Sequence, residues 1–127
     1  NVTSPFDWLS TQDDVRWNTG TEIVPVKTAN DPCPIGYRIP TETELENERL
    51  SWTVNNAEGA INSPLKLPLA GRRRNSNGAL NFVGTYGYYW SSTVISANAS
   101  YLYFTSSNAN MNTLARAYGF SVRCIKE

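Results

Sequence analysis

Tyr101-Leu102-Tyr103-Phe104-Thr105 lies inside 41 consecutive residues, Asn75–Ala115, that contain no Asp, Glu, Lys or Arg. Leu102 and Phe104 fall on one side of an extended chain, and Tyr101, Tyr103 and Thr105 on the other. That alternation is the period-2 signature of a half-buried strand. The rest of the stretch is rich in Asn, Ser and Thr, a composition that by itself suits disordered chain. Disorder is excluded by Phe82, Tyr86, Tyr88, Tyr89, Trp90, Tyr101, Tyr103 and Phe104, because such rings bury large areas and dominate cores and interfaces. Two readings remain open on composition alone. One is an ordinary polar β surface. The other is a recognition face, in which Tyr supplies stiff contact area and Ser and Asn supply adaptable hydrogen bonds.

Downstream of the strand, Ser106–Arg116 reads as an Asn-rich loop and Phe120–Ile125 as a closing strand with Val122 and Cys124 on one side. Upstream, Val94–Ser100 reads as a loop of small residues, and Tyr88-Tyr89-Trp90-Ser91-Ser92 as a buried strand. Asn75-Ser76-Asn77-Gly78 is turn chemistry. Leu65-Lys66-Leu67-Pro68-Leu69 alternates around a proline, which suits an edge or irregular strand. Asn55–Ala60 suits a short helix. Thr41-Glu42-Thr43-Glu44 fits the capping box, in which the Thr hydroxyl and the Glu carboxylate each satisfy a backbone N–H. A helix is therefore expected over 42–52, with Leu45, Arg49 and Trp52 on one face. Gly36–Pro40 reads as a short strand after the turn Asp31-Pro32-Cys33-Pro34-Ile35-Gly36. The sum is a single α+β domain over residues 1–127, with one or two helices, short antiparallel strands and long loops.

The 127 residues include no histidine and two cysteines. Serine–histidine and cysteine–histidine nucleophile pairs and four-cysteine zinc sites are thereby excluded. No apolar run approaches the roughly 20 residues that span a bilayer, so no membrane insertion by this domain is expected. Residues 1–58 hold 10 acids and 4 bases, and residues 59–127 hold 7 bases and 1 acid. Glu42, Glu44, Glu46 and Glu48 read as a solvated helix start favoured by the macrodipole, not as catalytic carboxylates. Asp13-Asp14 reads as a solvated turn, since no calcium-loop spacing follows. Gly71-Arg72-Arg73-Arg74 suggests anion or nucleic-acid binding. The zero net charge favours instead a solvated corner or an arginine paired with the acidic half, so no nucleic-acid partner is expected. Cys33 and Cys124, 91 positions apart, are either two independent thiols or one disulfide. The chain begins at Asn1 without Met, which suggests a piece of a longer protein.

Several separated motifs occur together: Asn30–Thr41 with its Cys-Pro-Ile-Gly-Tyr-Arg-Ile-Pro core, Glu44-Leu45, Pro64–Pro68, Gly87-Tyr88-Tyr89-Trp90-Ser91-Ser92 and Ser121-Val122-Arg123-Cys124. In this order they resemble the fibrobacter major paralogous domain family, bacterial surface-type domains, from about Phe6 to the C-terminus. That family is similar to the C-type lectin fold and, through it, to the formylglycine-generating enzyme group. The resemblance implies paired N- and C-terminal strands and a Cys33–Cys124 disulfide, hence an extracellular or cell-surface setting. The C-terminal part also resembles the variable region of ligand-binding proteins diversified by retroelements that mutate adenines, often in Asn codons. The matching ligand-binding positions are Ile95, Ser96, Asn98, Ser100, Tyr103, Thr105, Asn108, Asn110, Asn112, Thr113, Leu114, Ala115, Tyr118 and Phe120. Trp90, Leu102, Phe104 and Arg116 read as fixed scaffold between them. The implied function is non-catalytic binding of a protein or glycan partner, with a calcium-independent carbohydrate-binding module as the alternative and an enzyme as the weakest reading. No Asp or Glu lies between residues 59 and 126, so neither a lectin-type calcium site nor any other metal or cofactor is expected.

Overall fold

The computed structural model describes residues 6–127. Its elements in chain order are β1 (Tyr37–Arg38), α1 (Glu42–Leu50), α2 (Ala57–Asn62), β2 (Arg72–Arg73), β3 (Leu80–Asn81), β4 (Gly87–Ile95), β5 (Asn98–Phe104), β6 (Ala109–Ala115) and β7 (Ile125–Lys126). This is an α+β domain of two helices and short antiparallel strands. The Thr41 hydroxyl accepts from the Glu44 N–H at 3.3 Å, and the Glu44 carboxylate accepts from the Thr41 N–H at 2.9 Å. The capping box expected from the sequence is thus present, and Arg38 grips the same carboxylate with both terminal nitrogens. Helix α1 stops two residues short of Trp52, because the Ser51 hydroxyl and N–H both turn back to the Glu48 carbonyl. Trp52, freed from the helix, sets its ring edge-on to Phe104 with centroids 5.8 Å apart. Helix α2 is capped by the Asn56 side chain, which accepts from Glu58 and Gly59 N–H, and so it runs two residues later than expected.

The three-stranded sheet β4-β5-β6 is the frame of the domain. Two expected loops are mostly strand. Val94–Ser100 shrinks to the turn Ser96–Ala97, with Ser96 at φ +55°. Ser106–Arg116 becomes strand β6 after a turn in which the Thr105 N–H donates to the Asn108 carbonyl at 2.8 Å. Asn is a poor strand former, yet pairing with a neighbouring strand overrides intrinsic preference. Here β6 pairs residue for residue with β5, from Asn98–Ala115 through Phe104–Ala109. Between Trp90 and Val94 the β4 ladder slips in a bulge. The freed groups hold the start of α1: the Ser92 N–H donates to the Pro40 carbonyl and the Glu42 N–H to the Thr93 hydroxyl, each at 2.8 Å.

Two other expected strands are corrected. Leu65–Leu69 is irregular, because Lys66 adopts a left-handed φ of +52°. That kink inserts Leu67 into the core at 1% exposure. The expected closing strand Phe120–Ile125 pairs continuously only at β7, which lies antiparallel to β1. Upstream of it the chain crosses the sheet on single bridges, with the Trp90 N–H donating to the Ser121 carbonyl at 3.0 Å. Cys33 and Cys124 form the disulfide, with Cα atoms 5.7 Å apart.

Both sides of the sheet are packed. On the helix side Leu45, Ala60, Leu67, Tyr89, Leu102, Phe104 and Ala109 form a buried core with Trp52 and Met111 against it. On the opposite side Tyr88, Trp90, Ala99 and Tyr101 form a second cluster, joined by Trp17, Tyr86, Tyr103, Leu114, Tyr118, Phe120 and Val122. Strand β5 is therefore more buried than its alternation suggests. Tyr101 is covered because Phe120, on the crossing segment, packs over it with centroids 4.8 Å apart. Gly87 lies opposite Phe104, and a Cβ there would stand 2.2 Å from its ring, so only glycine fits without movement.

Candidate functional site

The register of β5 and β6 sorts the expected binding residues by side, since directly paired residues project from the same face. Tyr103 pairs with Asn110, Tyr101 with Asn112 and Ala99 with Leu114. Tyr118 and Phe120, on the segment that follows β6, pack beside them. Six expected positions thus share one surface: Tyr103, Asn110, Asn112, Leu114, Tyr118 and Phe120. Asn110 and Asn112 are exposed and the other four half-buried.

The remaining expected positions lie elsewhere. Ile95 and Ser96 are exposed at the β4–β5 turn, and Asn108 is exposed in the β5–β6 turn. Asn98, Ser100, Thr113 and Ala115 belong to the helix side of the sheet, because they alternate with the residues above. Ser100 is wholly buried, and its carbonyl accepts from the Ser91 hydroxyl at 2.9 Å. Thr105 is buried too; its hydroxyl accepts from the Ser107 and Asn108 N–H groups and shapes the turn. These two side chains build the scaffold and display nothing. The four residues read as scaffold, Trp90, Leu102, Phe104 and Arg116, are all buried.

The open surface is an aromatic layer. Phe120 stacks on Trp90 at 4.1 Å and on Tyr88 at 5.0 Å, and Tyr86 lies 6.0 Å from Tyr103. Burial pushes the Tyr88 and Tyr101 phenols above their ordinary range, with Arg72 pulling Tyr88 the other way. Both are uncharged at neutral pH, as an unshifted phenol also is. One charge does enter the layer. The Arg72 guanidinium sits 4.7 Å from the Tyr118 ring centroid, 5.1 Å from Tyr88 and 5.4 Å from Phe82. Sequence reasoning saw the arginine triplet but not this placement. In β2 Arg72 is half-buried while Arg73 is exposed, a distinction that three identical residues hide.

The N-terminal segment covers the far end of the same sheet side. Arg116 holds it through Asp14 at 2.6 Å and Asp7 at 3.5 Å, and also donates to the Ser96 carbonyl at 2.7 Å. Asp14 is thus an anchor as well as part of a turn, and the Arg116 hydrogen bond holds its carboxyl below the usual range. Beneath the segment lies a cavity of about 320 Å³, lined mainly by Trp8, Trp17, Trp90, Val94, Ala99 and Arg116.

Residues 49–125 match the family model described as a domain of unknown function, DUF8237. The chain belongs to that family. The segment shared with other DUF8237 domains carries the whole three-stranded sheet, the arginine triplet and Cys124, while the capping box and Cys33 precede it. No curated protein and no solved structure matches the chain significantly. Among the described residues, no three His, Cys, Asp or Glu side chains come together to hold a metal ion, and both cysteines are bonded. No helix is long and apolar enough to cross a membrane.

Proposed function

We propose that this DUF8237 domain is a non-catalytic display domain of a bacterial cell-surface or phage protein, built on a C-type lectin-like scaffold. It recognises a partner through the face bearing Tyr103, Asn110, Asn112, Leu114, Tyr118 and Phe120. The observation that carries this reading is the convergence of those six residues on one open, aromatic and amide-rich surface. Anchoring rings surrounded by adaptable polar groups are how binding surfaces concentrate affinity. The pairing of β1 with β7 and the bond between Cys33 and Cys124 support the lectin-like scaffold. The disulfide also supports an oxidising, extracellular setting.

A face used for display tolerates change without loss of the fold. Randomising the six positions in a surface-display library tests this. Most variants should fold, and selection against several unrelated proteins should yield specific binders. General misfolding, or folded libraries that never bind, would reject the display reading. Its extension to retroelement-driven diversification is tested at the encoding locus. A reverse-transcriptase gene and a second copy of the segment encoding Gly87–Cys124 are expected there, and their absence rejects that extension.

A further inference from the structure

We propose that the partner recognised by the open face presents an acidic side chain, whose carboxylate docks on the edge of the Arg72 guanidinium. This rests on the display reading and names the partner's chemistry. Arg72 is bracketed by Tyr118, Tyr88 and Phe82 at 4.7–5.4 Å. Rings beside a guanidinium attract its charge but offer no lone pair to its N–H donors, which still need an acceptor. Among the described residues, none supplies such an acceptor to Arg72. The Arg72 Nε is buried without a hydrogen-bond partner, whereas the two terminal nitrogens, also unbonded among the described residues, are not enclosed and are the donors a carboxylate can reach. None of the ion pairs among the described residues includes Arg72, Arg73 or Arg74. Of the two readings of the triplet, the solvated corner holds for the exposed Arg73 and Arg74, and pairing with the acidic half does not: among the described residues, the acids that reach across the domain to an arginine go to Arg116.

A guanidinium is the group best matched to a carboxylate, through two parallel hydrogen bonds that strengthen as water is displaced. Arg73 and Arg74 are exposed beside it. No acid occurs from residue 59 to residue 126, so this half of the molecule attracts an anion and has none of its own to offer. Shape selects the source of that anion. Asn110 to Leu114 spans about 13 Å of strand, and the crossing segment widens the face further. This area suits a patch of protein surface, whereas a single acidic sugar would cover only part of it.

The test is NMR titration of the whole domain, following the Arg72 Nε–Hε signal and the Tyr118 ring. The probes are N-acetyl-glutamate methylamide, its neutral glutamine isostere and glucuronate. A saturable shift at Arg72 and Tyr118 is expected with the glutamate probe, at lower concentration than with glucuronate, and not with the glutamine isostere. It should be lost in Arg72→Gln and weakened in Arg72→Lys, which keeps the charge but not the fork. Arg74 supplies the control in the unaltered protein. Equal responses at Arg74 and Arg72 would mean an adventitious ion only and overturn the proposal, as would silence at Arg72. A preference for glucuronate would assign the site to an acidic glycan and overturn the protein side chain. If the six-position library yields binders while Arg72 stays silent, display stands and this inference alone falls. If the library fails to fold while Arg72 responds, the anion site survives the loss of the display reading.

Discussion

The two sides of the β4–β5–β6 sheet share their strands but solve different problems. On the helix side, Leu102 and Phe104 are fully buried beneath α1, α2 and the Leu67 insertion. On the other side, Tyr101 and Tyr103 alternate with them, covered by the crossing segment, by Trp17 of the N-terminal segment and by neighbouring rings rather than by helices. The first side gains stability from apolar area removed from water and leaves no group free to act. The second buries Tyr88, Trp90 and Tyr101 but keeps Tyr103, Tyr118 and Phe120 half in solvent, with Asn110 and Asn112 exposed beside them. One strand thereby gives, by residue parity, a wholly buried side and a partly open one, and the proposed display reading assigns recognition to the second.

The sharpest way to break this comparison is to truncate equivalent positions on the two sides. Phe104→Ala should cost about 3–5 kcal/mol, while Tyr103→Ala should cost about 1 kcal/mol, the scale of aromatic contacts that are only half-buried. Chemical denaturation midpoints read the difference. Equal costs would mean that the open face is a second core and not a display surface. Next in size is the double substitution Cys33→Ala with Cys124→Ala, expected to lose about 2–4 kcal/mol. In hydrogen exchange it should loosen Tyr118–Val122 before it loosens β5. Gly87→Ala crowds Phe104 from the neighbouring strand and should cost about 1–3 kcal/mol, read as a lowered melting temperature.

Smaller still is a pH effect confined to the helix side. Burial raises the Glu44 carboxyl, but Arg38 and the Thr41 N–H outweigh it and hold the group below the ordinary 4.5. A carboxylate with a depressed folded pKa stabilises above its unfolded value, and that contribution is lost as pH falls through the folded one. Glu44→Gln should therefore remove part of the decline in stability seen on acidifying below about pH 4.5. The decline should keep its full slope in Tyr103→Ala, and equal slopes in all three proteins would dispose of the assignment. The smallest effect belongs to Asn110→Ser and Asn112→Ser, expected within about 0.5 kcal/mol of the parent by the same denaturation assay.

What was legible in the sequence was local or strictly periodic. The capping box needs four consecutive residues, and Thr41–Glu44 forms it. The alternation at Tyr101–Thr105 correctly separated Leu102 and Phe104 from Tyr101 and Tyr103. What stayed hidden depends on partners distant in sequence. Strand β6 is written in Asn and Thr, and only pairing with β5 makes it a strand. Leu67 and Phe120 reach their places through a left-handed residue and through isolated bridges, neither of which leaves a periodic trace. The candidate site followed the same rule. Parity placed Tyr103 with the open side, but the burial of Tyr101, Ser100 and Thr105 and the caging of Arg72 come from contacts across the fold.

The bond between Cys33 and Cys124 also fixes how the domain carries tension. Pulled from outside the two cysteines, the chain transmits load straight through the sulfur bridge, and β1 and β7 lie beside that line. The 90 residues enclosed, which include every position of the open face, are spared extension. They represent about 300 Å of contour that no pull can release until the bridge is reduced. The segment bearing Asp7, Trp8 and Asp14 lies outside this loop and meets the load first, tethered by Arg116 through Asp7 and Asp14. A partner held on the tyrosine face would thus stay on an undeformed surface while the N-terminal cover is stripped from the other end of the sheet.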